Sequence, residues 1–223
     1  MVYPLSSVWG TAISAVYALS IAGEWLAVRR VAERGSPGRH STRGVGAILR
    51  EAADVLYLPA GTSDARRTDR NTRALLVLGS LGGLGTALLI PLLRPESVNT
   101  AALTRLQPIA LVVVIAGAWL RRRSVTELGP AAIRVVHASE NVPLVTSGPF
   151  RFIRNPAYAG SLLMYAGIGI ALASWMSTVC AAVVPLVSRL PRMRREEEVL
   201  LEVHGAPYRA YKSRVKRLIP WVW

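Results

Sequence analysis

AYAGSLLMYAGIGIALASWMSTVCAAVVPLVSRL, residues 157–190, is apolar almost throughout and is interrupted only at Ser174-Trp175. One helical crossing of a ~30 Å hydrocarbon core takes roughly 20 residues at ~1.5 Å rise. This run is too long for one short crossing and fits two. It reads as a tight helical hairpin inside a membrane, with its turn at Ser174-Trp175. That reading sets the fold class: an all-α, polytopic integral membrane protein.

Working outward, residues 8–28 (VWGTAISAVYALSIAGEWLAV), 74–93 (ALLVLGSLGGLGTALLIPLL) and 106–120 (LQPIALVVVIAGAWL) supply three further spans, giving about five. The first has no positive region before it and no small-x-small site after it, so it reads as a retained span and not a cleaved signal. The bulk numbers agree. Hydrophobic residues make up 52% of the 223, mean hydropathy is +0.34, and Lys+Arg outnumber Asp+Glu by 27 to 13. A nucleic-acid binder is basic too, but it needs no long uncharged runs and interleaves its cations with aromatic residues, which this chain does not.

The cations test the span count. With the N-terminus outside, segments 29–73, 121–156 and 189 onward face inward and carry 10, 6 and 9 Lys/Arg. The outer loop 94–105 holds only Arg94 and Arg105, and the outer turn holds none. Every loop then obeys the positive-inside rule, and a count of four or six spans breaks it. The expected location is a bacterial inner membrane with the C-terminus cytoplasmic. Arg-rich usage, with Lys only at 212 and 216, points to a GC-rich bacterial genome.

Some features tempt and do not hold. GSLGGLG, 79–85, lies inside an apolar 20-mer with no strand before it, so Gly79 and Gly83 read as small-xxx-small helix packing and not as a nucleotide loop. His40, His137 and His204 lack paired ligand spacing, and the single Cys180 sits in a span, so no metal site is expected. Glu24 lies near the inner end of the first span, within reach of Arg29 and Arg30, and reads as structural before functional. The basic loop 29–73 reads as a membrane-surface segment, with AILREAADVLYL, 47–58, as an amphipathic helix on anionic lipid.

Two C-terminal segments carry more chemistry than topology needs. LVTSGPFRFIRNPAYAG, 144–160, crowds Arg151, Arg154, Asn155 and two prolines at the mouth of a span. RMRREEEVLLEVHGAPYRAYKSRVKRLIPWVW, 192–223, places a charged helix over about 192–204, stopped by Gly205 and Pro207. Tyr208 and Tyr211 follow three apart, and Trp221 and Trp223 read as interface anchors. Internal pairs such as Arg194–Glu198 explain a solvated helix but not the tyrosines.

Together these segments resemble the isoprenylcysteine carboxyl methyltransferase family of membrane enzymes and its relatives among phospholipid methyltransferases. The first match runs L-V-x-x-G-P-F-R-x-I-R-N-P-x-Y-x-G from Leu144 to Gly160. The second runs E-E-x-x-L-x-x-x-x-G-x-x-Y-x-x-Y from Glu196 to Tyr211. RVKRLIP, 214–220, is similar to the family's ending, with Lys216 where proline is common, and Asp69-Arg70-Asn71-Thr72 is a weaker echo. One position departs: the family's usual R-H-P is R-N-P here, and Asn155 offers a donor and an acceptor but no titrating imidazole.

The resemblance implies S-adenosyl-L-methionine as methyl donor and a single membrane domain, 1–223, with its methyltransferase core in 144–223. By position, Val145, Gly148, Arg151, Arg154, Asn155, Pro156 and Tyr158 frame the cofactor, and Glu196 and Glu197 meet it from the C-terminal helix. Arg192, Arg195, Glu196, Tyr208 and Tyr211 stand on the acceptor side or in the pocket wall as the catalytic candidates. Arginine suits the donor's carboxylate, and glutamate its amine or ribose hydroxyls. The acceptor is expected to be a lipophilic small molecule or lipid met at the inner membrane face. A carboxylate acceptor is already ionised and needs no base; a lipid amine must lose a proton, with Glu196 or Glu197 as the base. A silent scaffold keeping the fold to bind lipid is the reading from another class.

Overall fold

The computed structural model describes residues 7–34, 63–128 and 144–222. The amphipathic segment expected at 47–58, His40, His137 and the side chain of Glu24 lie outside the described residues. Among the described residues there are six α-helices: α1 (Val8–Arg34), α2 (Ser63–Leu93), α3 (Leu103–Leu128), α4 (Pro156–Ala171), α5 (Trp175–His204) and α6 (Ala206–Arg214). Short 3-10 turns at Pro95–Ser97, Thr100–Ala102 and Gly148–Arg151 join them, and no strand occurs among the described residues beyond one parallel bridge, Ile153 with Lys216.

The hairpin read at 157–190 is present. Ala173 turns the chain with φ +50°, and Ser174 caps α5 by accepting from the Ser177 N–H. The helices run past the apolar stretches. α2 begins eleven residues before Ala74, and α5 does not end with its span. The helix expected as a separate element at 192–204 is the continuation of α5 through Pro185 and Pro191 to His204, so a single rod joins the membrane interior to the charged segment. Gly205, at φ +54°, ends it as expected, and the separate C-terminal helix is α6, with Pro207 in its first turn.

The bundle is ordered α1–α3–α4–α5–α2, with the most extensive packing between α3 and α4 and between α2 and α5. Small residues make both seams. A Cβ on Gly117 would lie 2.6 Å from the Gly160 carbonyl oxygen, and one on Gly160 would lie 2.6 Å from that of Gly117. On α2, Gly79 meets Ser188 and Gly83 meets Pro185, which makes the GSLGGLG stretch a helix-packing face. With lipid outside, helices associate through such close backbone approach and interhelical hydrogen bonds, not through hydrophobic exclusion. Ser7 provides one of those bonds, donating to Gln107 Oε1 at 3.0 Å, while Gln107 Nε2 reaches the Ala171 carbonyl.

The outer surface is apolar. Leu75, Leu78, Leu81, Leu89 and Leu92 of α2 and Ile109, Val112 and Trp119 of α3 are exposed, while Ile13, Ala110, Val114, Ile168 and Ala171 form a core between the helices. Two stretches, Ala74–Leu93 and Thr100–Leu128, are long and apolar enough to cross a membrane, and Val8–Gly23 and Pro156–Ala171 are shorter apolar helices. Leucines pointing outward, with close seams at Gly79, Gly83, Gly117 and Gly160 inside, suit lipid as the surrounding solvent.

Candidate functional site

The two sequence motifs meet at one end of the bundle, where α4 starts and α5 leaves the apolar layer. Glu197 is the hub. Its carboxylate is buried and meets three cations: Arg154 Nη2 at 3.1 Å, Arg217 through Nε at 2.9 Å and Nη2 at 3.0 Å, and Lys212 Nζ at 3.2 Å. Burial alone would raise its pKa, but the Arg217, Arg154 and Lys212 side chains reverse this and hold it down at about 2. Arg154 also donates through Nη1 to the Lys212 and Val215 carbonyls.

Backbone bonds run alongside. Arg154 N donates to the Lys216 carbonyl at 2.8 Å and Asn155 N to the Arg217 carbonyl at 3.0 Å. Residues 215–217 therefore form a strap held against the R-N-P turn by main chain and by Glu197. The Asn155 side chain faces the same strap, with Nδ2 3.5 Å from the Arg217 carbonyl. Tyr211 completes the closure by donating to the Phe150 carbonyl at 2.7 Å. Burial pushes the Tyr211 phenol up to about 12, and burial likewise raises Tyr208, which packs tilted against it. Both stay neutral at physiological pH, which leaves no phenolate to act as a base.

A second cluster lies one turn deeper. Glu196 Oε1 accepts from Arg192 Nε at 2.8 Å and from the Tyr158 hydroxyl at 2.9 Å, joining α5 to the first turn of α4. Deeper again, Arg121 of α3 donates to Ser161 Oγ at 2.6 Å, and Arg189 of α5 donates to Ser80 and Tyr165. Tyr158, Ser161 and Tyr165 fall at helical spacing on α4, as do Arg189, Arg192 and Glu196 on α5. The result is a polar column running from the charged end into the bundle.

Most of the expected residues come together here. Arg154, Asn155, Glu197, Tyr208 and Tyr211 form the strap cluster, and Tyr158, Arg192 and Glu196 form the deeper one. Pro156 is buried at the first position of α4. Gly148 turns at φ +57° against Glu127, which also takes the Ser147 hydroxyl at 2.6 Å and Arg123 at 3.0 Å. Val145 is half-buried beside that turn. Arg151 is exposed, and Arg195 pairs with Glu198 on the exposed side of α5 at 3.2 Å, so neither reaches the clusters. Lys212, Arg217, Arg121, Arg189, Tyr165 and Ser161 were not picked out from the sequence. The spacing Arg189–Arg192–Glu196, three then four residues, was the available signal for the deep column. No cluster of three or more metal-ligating side chains occurs among the described residues.

The fold and these clusters define a helical membrane protein with a charged cluster at one end of its bundle. A family model described as phospholipid methyltransferase matches residues 106–206. A probable protein-S-isoprenylcysteine O-methyltransferase of Oryza sativa subsp. indica is 29% identical over 116 residues, covering 51% of this chain and 61% of that protein. The protein-S-isoprenylcysteine O-methyltransferase of Mus musculus is 32% identical over 125 residues, covering 54% and 43%. The chain thus spans less than two thirds of the length of these relatives. Among solved structures, the eukaryotic intramembrane Ras methyltransferase isoprenylcysteine carboxyl methyltransferase matches with a TM-score of 0.66 at 22% identity, over 98% of this chain and 68% of that one. The chain therefore shares its fold with that protein.

Proposed function

We propose that the protein is an S-adenosyl-L-methionine-dependent membrane methyltransferase that methylates the carboxylate of a prenylated or otherwise lipophilic acceptor. The observation that carries this reading is the convergence of two distant motifs, 144–160 and 192–217, into one charged cluster at the end of a membrane bundle. The donor set fits the cofactor. Three cations share the Glu197 carboxylate, which leaves surplus positive charge for the cofactor's carboxylate, and Glu196 offers oxygens to its amine or ribose hydroxyls. When bound, the cofactor supplies an electrophilic methyl group on a sulfonium.

The chain's own residues then have defined tasks. Arg154, Lys212 and Arg217 bind and orient from the strap side. Tyr158, Arg192 and Glu196 form the wall between this pocket and the membrane interior. Tyr208 and Tyr211 close the wet side. A carboxylate acceptor is ionised at neutral pH, so positioning and water exclusion are all that is required of the protein. The match to a phospholipid methyltransferase model keeps headgroup N-methylation as a second reading. That chemistry needs a base, and both glutamates at the pocket are engaged by cations. We place the N-terminus outside, count five crossings and put the site at the cytoplasmic face, in keeping with the charge distribution.

Calorimetric titration of detergent-purified protein with S-adenosyl-L-methionine tests the reading, alongside Glu196→Gln and Arg154→Ala. Saturable binding to the wild type, weakened at least tenfold in both variants, is expected. No binding by folded wild-type protein would overturn the enzyme reading and bring the scaffold forward.

A further inference from the structure

Residues 206–223 hold five cations, Arg209, Lys212, Arg214, Lys216 and Arg217, and no Asp or Glu. Glu197 takes up two of them, Lys212 and Arg217. Arg209, Arg214 and Lys216 are exposed and pair with no carboxylate among the described residues. Large apolar side chains stand bare beside them. Trp221 is 87% exposed, and Ile219 and Val222 are exposed as well. Phe152, 60% exposed, flanks the strap from the other motif, because its neighbour Ile153 pairs with Lys216.

The strap is therefore two-faced. Inward, Arg217 reaches Glu197, Leu218 is buried, and the Lys216 and Arg217 carbonyls accept from the Arg154 and Asn155 N–H groups. Outward, it presents Lys216 and Ile219. Phe152 lies four residues before Pro156, where the apolar helix α4 begins, so this outer face is close to the level at which α4 enters the apolar layer. Exposed cations alone suit water, and a lone exposed aromatic is ordinary. Unpaired cations beside bare Phe, Ile and Trp side chains at that level suit an anionic bilayer surface, where cations meet headgroup charge and aromatic rings sit among the headgroups.

We propose that the outer face of the strap docks on anionic lipid of the surrounding bilayer and that this docking holds the strap closed over Glu197. Arg209, Arg214 and Lys216 meet the headgroup charge, and Phe152, Ile219 and Trp221 enter the headgroup layer. Lipid that binds only the closed strap stabilises it, and so favours any ligand that needs the closed cluster. That consequence for the cofactor rests on the methyltransferase reading; the docking does not.

The full chain, in a Cys180→Ala background, carries an environment-sensitive fluorophore on Val222→Cys. It is placed in nanodiscs of phosphatidylcholine alone or of equal parts phosphatidylcholine and phosphatidylglycerol. The same is done with the triple variant Arg209→Gln, Arg214→Gln, Lys216→Gln. S-adenosyl-L-methionine binding is measured by calorimetry on unlabelled samples. The fluorophore is expected to emit at shorter wavelength in the anionic discs, to lose that shift in about 1 M salt, where the Debye length falls to ~3 Å, and to lose most of it in the triple variant. Cofactor affinity should be about threefold or more higher for the wild type in the anionic discs, and equal in both discs for the triple variant. Equal emission in the two lipids overturns the docking. A shift that persists in the triple variant, or in high salt should that variant fail to fold, overturns the role of the cations. A shift with no change in cofactor affinity overturns the coupling to the cluster. No cofactor binding in either lipid removes the methyltransferase reading and leaves the docking to stand or fall on the fluorophore.

Discussion

Glu197 shows how a single side chain serves both stability and site. Its pKa of about 2 lies below the ~4.3 of an unfolded glutamate, so the folded state favours the ionised form. The sign follows: this stabilisation, about 3 kcal/mol by linkage, is fully present above pH ~4.5 and is lost as pH falls through about 2. Thermal unfolding in detergent is expected to lose stability across that window in the wild type. Glu197→Gln should unfold more easily at pH 7, by roughly 3 kcal/mol, because three cations lose their anion, and its acid response should be flatter. Tyr211→Phe removes one donor from the Phe150 carbonyl and should cost about 1 kcal/mol in the same assay. The sequence indicated Glu197 and Arg154 through the motifs they sit in. It did not indicate Lys212 and Arg217, since a basic tail is indistinguishable from topology charges until the strap folds back onto the R-N-P turn.

At the scale of elements, packing follows from which residues are small. Gly117→Val drives side-chain atoms into the α4 backbone near Gly160 and is expected to destabilise by about 2 kcal/mol or more, whereas Gly82→Ala, with open space at that position, should change little. Ala173 occupies a left-handed conformation at the hairpin turn, so Ala173→Gly should stabilise by about 0.5–1 kcal/mol if the turn is kept. Both are read from unfolding midpoints. The hairpin itself was legible, since Ser174 and Trp175 interrupt an otherwise continuous apolar run. The length of α5 was not. The apolar run ends at Leu190 and a charged segment starts at Arg192, which suggested two elements, yet the helix runs on to His204. Arg189 and Arg121 were counted as charges flanking a membrane and not recognised as part of a column, because the partners that reveal them, Ser80, Tyr165 and Ser161, lie on other helices.

At the scale of the whole molecule, the apolar exterior and the charged end make the orientation testable. Cys180 is the sole cysteine, so Cys180→Ala gives a background for single reporters at Asn99, in the outer connection, and at the exposed Arg151. A membrane-impermeant maleimide applied to intact spheroplasts is expected to label Asn99→Cys and to label Arg151→Cys only after lysis. The opposite pattern would invert the proposed orientation and move the pocket to the other side of the membrane. The prediction follows from the proposed topology, which puts 25 of the 27 Lys/Arg on one side.

The strap at 215–217 also bears on the order in which the molecule comes into being. Every apolar helix among the described residues precedes it in the chain, so these helices can enter lipid before Lys212 and Arg217 take their places. Until those residues emerge, Glu197 lacks two of its three cations and the R-N-P turn lacks its backbone partners. The cluster is thus completed only after the helices that precede the strap. A chain cut short before the strap would sit in the membrane as an inserted bundle without a finished site.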